Sequence, residues 1–298
     1  MDSDTILEIR NLTKNYGGLK ALDGLDMNVK RGEIFGLLGP NGSGKTTTLS
    51  IVMGILKQTA GDYYWFNRKA NFKSRLRIGS LIEDPNFYPY LTLYENLKII
   101  TLIKEVPESQ INYSLGVTGL LKRKYSKFRT LSSGLKQRLG IAAVLVGDPE
   151  VLVLDEPTKS LDPEGFSDMR HIIQKEAEKG KTIILSSHIL DEVEKVCTHV
   201  GILKSGELIT QGKVEDILGG KEVVFIGTEE PGKIIRLFDQ CPFIEKAEKQ
   251  NSKEFKLLLN KEGSPTELNK YFFEKGIVLS KLVKQKNTLE SEFLQLMK

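Results

Sequence analysis

Apolar residues along this chain fall into two kinds of run. Short unbroken ones read as buried strands: Glu33 to Leu38, Ile78 to Ile82, Val151 to Leu154 and Thr182 to Leu185. Longer stretches at helical spacing lie between them, among them Thr47 to Leu56 and Leu135 to Leu145. Residues 1 to about 82 alternate strand signals with one helix, residues 83 to about 145 read mostly helical, and residues 146 to about 215 return to strand–helix alternation. The pattern predicts one α/β domain carrying a helical insertion.

Gly219-Gly220 breaks the pattern. After it come a strand (Glu222 to Ile226), a helix (Gly232 to Asp239), two strands (Ile244 to Gln250 and Glu254 to Leu259), a helix (Pro265 to Glu274) and a strand (Val278 to Lys284). That order predicts a small ferredoxin-like α+β domain. Leu289 to Met297 would close the chain as an amphipathic helix, with Leu289, Phe293, Leu294 and Met297 on one face. The expected division is therefore 1–218 and 219–298, with the helical subdomain at about 83–145, and no internal repeat or low-complexity tract interrupts it.

Candidate chemistry begins at Gly39-Pro40-Asn41-Gly42-Ser43-Gly44-Lys45-Thr46-Thr47, a complete phosphate-binding loop between a strand and a helix. A triphosphate crowds negative charge onto few oxygens, so it is best held by convergent backbone N–H groups, a helix N-terminus and one reaching cation. Lys45 would lie along the outer phosphates and Thr46 would offer its hydroxyl to magnesium, while Gly42 and Gly44 keep side chains out of the loop. Val151 to Glu156 is an apolar strand ending in two carboxylates, Asp155 suited to support magnesium and Glu156 to polarise water. Alone, the loop leaves kinases, GTPases, helicases and transporter ATPases open.

Two further segments decide among these. Leu131-Ser132-Ser133-Gly134-Leu135 precedes a helix, and Ser186-Ser187-His188 follows an apolar strand. With them the chain resembles the nucleotide-binding subunit of an ATP-binding-cassette transporter over about its first 215 residues. The resemblance implies a P-loop NTPase cassette with a helical subdomain. Gly39 to Thr47 match the Walker A loop, Asp155 and Glu156 the Walker B carboxylates, and Leu131 to Leu135 the signature. Ser160 to Asp162 match the D-loop and His188 the switch histidine. Tyr16, by itself a tyrosine at a strand–loop edge, matches the aromatic that stacks on adenine.

Departures from the family pattern are informative. Glu83 stands where most members carry glutamine; it retains an oxygen for magnesium but adds a charge and loses the amide donor. In this the chain resembles the bacitracin and lantibiotic self-protection exporters, to which it is similar from Ile78 to Leu97. Ser133 and Leu135 alter the signature, whereas Ser132 and Gly134, implied to face the γ-phosphate, are kept. Lys159 replaces a small or neutral polar residue, and beside the nucleotide it would either assist phosphate binding or point to solvent.

Composition adds bounds. The chain has 298 residues, 40% hydrophobic and 28% charged, with a net charge of +4, and no concentrated basic face argues for nucleic acid. The densest cationic run, Lys122 to Lys127, reads as a solvated loop, with contact to anionic lipid headgroups as the other reading. Cys197 and Cys241 follow no metal spacing and no signal peptide is seen, so reduced cytosolic thiols are expected. No run approaches the roughly 18 apolar residues of a membrane helix, so an integral-membrane permease is the expected partner, with this chain peripheral on the cytoplasmic face. Pro85, Phe87, Tyr88, Pro89 and Tyr90 are either aromatic anchors for that partner or core of the helical subdomain.

The resemblance implies ATP and Mg2+ as ligands and a homodimer, because the signature of one subunit completes the site of the other. Antibiotic or antimicrobial-peptide export is the preferred function, with ion, polysaccharide or gliding-machinery export as alternatives. A cassette ATPase without transport, or an ATP-dependent regulatory switch, are the rivals in class. Against the first, the chain has one cassette and no coiled-coil insertion; against the second, it retains Lys45 and Glu156.

Overall fold

The chain opens with two twelve-residue strands, β1 (Thr5–Tyr16) and β2 (Leu19–Lys30), paired antiparallel across Gly17 and Gly18. Alternation directs Leu7 and Ile9 of β1 and Leu25, Met27 and Val29 of β2 inward, and a register irregularity between Ile9 and Leu12 brings Leu12 in as well. β4 (Ala60–Trp65) and the two-residue β5 (Arg68–Lys69) extend this sheet in the order β2-β1-β4-β5. The computed structural model describes residues 4–159, 161–218, 223–260, 262–285 and 288–297.

A second sheet carries the chemistry. It consists of β3 (Ile34–Leu38), β6 (Ile78–Leu81), β7 (Val151–Asp155), β8 (Thr182–Ser187), β9 (His199–Lys204) and β10 (Glu207–Lys213), in the order β10-β9-β3-β8-β7-β6. All its pairings are parallel except the antiparallel β9–β10 edge. Every residue of β3, β7 and β8 is buried, as expected of strands covered on both faces. The predicted strands appear where the apolar runs placed them.

Helix α1 (Lys45–Val52) leaves β3 two residues before the expected start and ends four before the expected end. Gly44 caps it at φ 106° and Gly54, at φ 75°, leaves the helical region just beyond it. Trp65 lies against this helix fully buried, its Nε1–H donating to Val52 O at 2.8 Å. A short α2 (Phe72–Leu76) precedes β6.

The insertion is helical as predicted: α3 (Leu93–Lys104), α4 (Ser109–Val117) and α5 (Ser133–Leu145). A capping box fixes the start of α3, with Thr92 Oγ1 accepting from Glu95 N–H at 3.2 Å and Glu95 Oε2 accepting from Thr92 N–H at 2.8 Å. Leu93, Leu97, Ile111, Leu115 and Leu139 share a small core. Phe87 joins it, edge-on to Phe128 with ring centroids 5.3 Å apart, while Tyr88 and Tyr90 stay exposed. Phe87 thus belongs to the core of the helical subdomain, as one of the two readings had it. Helices α6 (Pro163–Glu178), α7 (Leu190–Val196) and α8 (Val214–Ile217) complete the order.

The chain forms two compact units, Met1–Val214 and Glu215–Lys298. Gly219, Gly220 and Glu222, read as break and strand start, lie outside the described residues. In the second unit, β11 (Val223–Thr228), α9 (Pro231–Phe238), β12 (Ile244–Lys249), β13 (Glu254–Leu259), α10 (Pro265–Glu274) and β14 (Leu279–Gln285) follow the predicted order. Its antiparallel sheet runs β12-β13-β11-β14, the ferredoxin-like arrangement. Ile234, Phe238, Leu268 and Phe272 of the helices pack with Val224, Ile226, Phe255 and Leu257 of the sheet. Helix α11 (Leu289–Leu296) follows, with Leu289 buried.

Candidate functional site

The phosphate loop runs from the end of β3 to the start of α1. A Cβ at Gly39 would fall 2.4 Å from Ser43 Oγ and 2.5 Å from Leu203 O, and one at Gly44 2.8 Å from Ala21 O. Glycine at these two positions follows from close approach, reinforced at Gly44 by its positive φ. Pro40 O accepts from Ser43 N–H at 3.1 Å. Lys45 Nζ donates to Gly39 O at 2.7 Å and Pro40 O at 3.2 Å, drawing the ammonium into the loop. Burial lowers the Lys45 pKa, while Glu156 and Asp155 oppose that shift. Ser43 Oγ is buried without a hydrogen-bond partner. An orphaned hydroxyl, a buried ammonium and the N-terminus of α1 suit a phosphate group.

Parallel pairing of β7 with β8 sets Asp155 beside Ser186. Ser186 Oγ donates to Asp155 Oδ1, and Thr46 Oγ1 donates to Asp155 Oδ2 at 2.9 Å. The next residue, Glu156, sits at φ 47°, a left-handed conformation that costs a branched-free L-residue about 1–2 kcal/mol. Its N–H reaches Ser186 O at 3.2 Å and Ser186 Oγ at 3.0 Å, which holds the turn. The carboxylate then meets His188, Glu156 Oε2 lying 2.8 Å from Nδ1.

Thr46, Asp155, Glu156 and His188 line one cleft of about 470 Å³, together with Asn41 and Glu83. Glu83 is exposed and also has positive φ, 60°. Three more residues complete the lining: Asp84, Gln137 and Lys159. Lys159, left between two readings by the sequence, forms an ion pair with Asp84, Nζ to Oδ1 at 2.9 Å. Asp84 raises the Lys159 pKa through that hydrogen bond. Gln137, buried, donates from Nε2 to Pro157 O at 3.0 Å and so ties α5 to the turn after β7. Its sequence signal was a polar residue three and four positions before Gly140 and Ile141, on the buried face of α5.

Ser132, Gly134 and Asp162 do not line this cleft. Ser132 caps α5, its Oγ accepting from Leu135 N–H at 3.4 Å, and Asp162 caps α6, accepting from Gly165 N–H at 2.8 Å. A Cβ at Gly134 would touch Leu161 at 3.6 Å, so the start of α5 lies close to the residue that precedes Asp162. Ser160 lies outside the described residues. Tyr16 ends β1, also off the cleft, half exposed with Lys14 Nζ 4.9 Å from its ring centroid. Gly42 and Thr47 complete the loop, Gly42 at φ 80° with open space around it.

Residues 22–159 match the family model described as ABC transporter. The chain is 38% identical over 301 aligned residues to the bacitracin transport ATP-binding protein BcrA of Bacillus licheniformis, covering 98% of this chain and 97% of that one. It is 39% identical to the lantibiotic transport ATP-binding protein SrtF of Streptococcus pyogenes, over 69% of this chain and 90% of that protein. Among solved structures, it superimposes with a TM-score of 0.65 on a dimeric ATP-binding cassette in a post-hydrolysis state bound to ADP and phosphate. That pair is 27% identical and covers 70% of this chain and 99% of the other.

Proposed function

Since this chain belongs to the ABC transporter family and is an ATP-hydrolysing subunit of that family, we propose that it closes as a homodimer around ATP to drive export of a peptide antibiotic through a separate membrane permease. The observation that carries this reading is the division of the site residues into two groups. Lys45, Thr46, Asp155, Glu156 and His188 gather at the loop and cleft, whereas Ser132, Gly134 and Asp162 stand off that cleft at the starts of α5 and α6. Each chain thus presents one catalytic half and one complementary half, and two chains make two sites.

In the closed dimer, Lys45 and the loop N–H groups hold the outer phosphates, and Ser132 with Gly134 of the partner subunit meets the γ-phosphate from the other side. Glu156 orients the attacking water and partly deprotonates it, and His188, fixed by Glu156, contacts the γ-phosphate. Tyr16 stacks on adenine, in keeping with Ala21 and Leu22 of the same hairpin lying beside Gly44. Among the described residues no three His, Cys, Asp or Glu side chains are placed to hold a metal by themselves. The adjacent oxygens of Thr46 and Asp155 nevertheless fit magnesium, which is held through one or two carboxylates and completes its shell with other oxygens of hydroxyl, water and phosphate. Thr46, Asp155 and Glu83 would hold it, and when bound it neutralises charge on the phosphate oxygens.

No helix among the described residues is long and apolar enough to cross a membrane. We assign the membrane path to the permease and place this chain against its cytoplasmic face, with exposed Tyr88 and Tyr90 as contacts. The peptide-antibiotic cargo rests on the similarity to bacitracin and lantibiotic transport proteins.

The test is magnesium-dependent ATPase activity as a function of protein concentration. Two-chain sites make activity per mole of protein rise with concentration until the dimer saturates. Activity that stays strictly proportional to protein, for a chain that sediments as a monomer with ATP bound, would rule out the shared site.

A further inference from the structure

Four carboxylates line the cleft, those of Glu83, Asp84, Asp155 and Glu156, against one ammonium, that of Lys159. Such a lining repels a polyanion unless cations offset it. Lys45 directs its ammonium to the carbonyls of Gly39 and Pro40, deeper in the loop. Lys159 instead springs from the turn that carries the catalytic carboxylate, its N–H donating to Glu156 O at 3.0 Å. Asp84 tethers its far end and ties this turn to the segment after β6. Glu83 and Lys159, the two charged departures from the pattern of the resembling family, therefore share one cleft with opposite signs.

We propose that Lys159, tethered by Asp84, is a positioning residue for the outer phosphates, its charge offsetting Glu83 and Asp84 so that the cleft accepts ATP in preference to ADP. This rests on the reading that the cleft takes ATP. The ion pair is solvent-exposed on both sides, 55% for Lys159 and 75% for Asp84, so it adds little to folding and its removal leaves the structure intact. Its effect is electrostatic, graded by distance from the added phosphate and weakened by salt. The γ-phosphate is the group that ATP has and ADP lacks, and it lies at the Glu156 end of the cleft in this reading.

The experiment is steady-state ATPase kinetics of the full chain, reading KM for ATP and the inhibition constant for ADP at low and high salt. Lys159→Ala is expected to raise KM for ATP about fivefold at low salt, with the ADP constant changing less than about twofold. High salt shrinks the difference. Lys159→Arg retains the wild-type KM, and adding Asp84→Asn to Lys159→Ala restores most of it. An unchanged KM in Lys159→Ala overturns the proposal, as does an equal rise for ATP and ADP, which marks a merely structural role. Failure of the underlying reading is separable: it appears as undiminished turnover in Glu156→Gln, and it takes this inference with it.

Discussion

Glu156→Gln is expected to lower kcat by about 10²- to 10⁴-fold, the usual worth of general-base assistance, with little loss of ATP binding. The exchange is nearly isosteric, and the turn that holds residue 156 is set by backbone contacts to Ser186 that glutamine keeps. Glutamine also retains an oxygen or N–H for His188 Nδ1, now 2.8 Å from the carboxylate. What it lacks is an acceptor basic enough to take a proton from water. ATP binding and dimer closure would then proceed without the exit step, and the variant should accumulate as an ATP-bound dimer. Size-exclusion chromatography with magnesium and ATP, beside a turnover assay, measures both consequences. Wild-type turnover in this variant would remove Glu156 from the chemistry.

Trp65→Ala is expected to cost about 3–5 kcal/mol of cassette stability, the range for deleting a buried large aromatic. Trp65 has no exposure and is the largest fully buried side chain described. It also ties the first sheet to the helix leaving the phosphate loop, through its N–H to Val52 O. Removing it opens a cavity and leaves that carbonyl without its partner, which adds to the loss. Trp65→Phe keeps most of the volume and should be intermediate. Urea unfolding followed by circular dichroism reads the change, and a midpoint equal to wild type in Trp65→Ala would show that the helix does not depend on this contact.

Much of this architecture was legible because its causes are local. The loop glycines answer to backbone approach within a few residues, and β3, β7 and β8 announce themselves as unbroken apolar runs. The elements from β11 to β14 followed from turn residues and periodicity alone. What stayed hidden depends on pairing between distant segments. Asp84 and Lys159 are ordinary surface charges in the sequence, and only the adjacency of β6 and β7 brings their following turns together. Phe87 and Tyr88 are neighbours of similar character, yet one meets Phe128 and the other meets solvent. The alternation that separates them is fixed by tertiary contact, which periodicity over so short a segment does not resolve. Likewise the early end of α1 reflects Gly54, a single residue inside an otherwise helix-compatible run.

The strand order of the parallel sheet governs how the chain is born. β3 lies at the sheet's centre, yet its partners β8 and β9 are made long after it, Ile34 pairing with Ile183 and Phe35 with His199. At ribosomal rates of about 5–20 residues per second, the apolar strand and its complete phosphate loop emerge on the order of ten seconds before the strands that pair with it, although Phe35 and Leu37 can already pack on β1 and β2. A nascent chain that already contains every loop glycine and Lys45 therefore still lacks both sheet neighbours of the strand that carries the loop. During that interval both backbone edges of β3 stay unpaired, and an unpaired apolar strand is an aggregation hazard that the nascent chain carries until residues 182–204 are made.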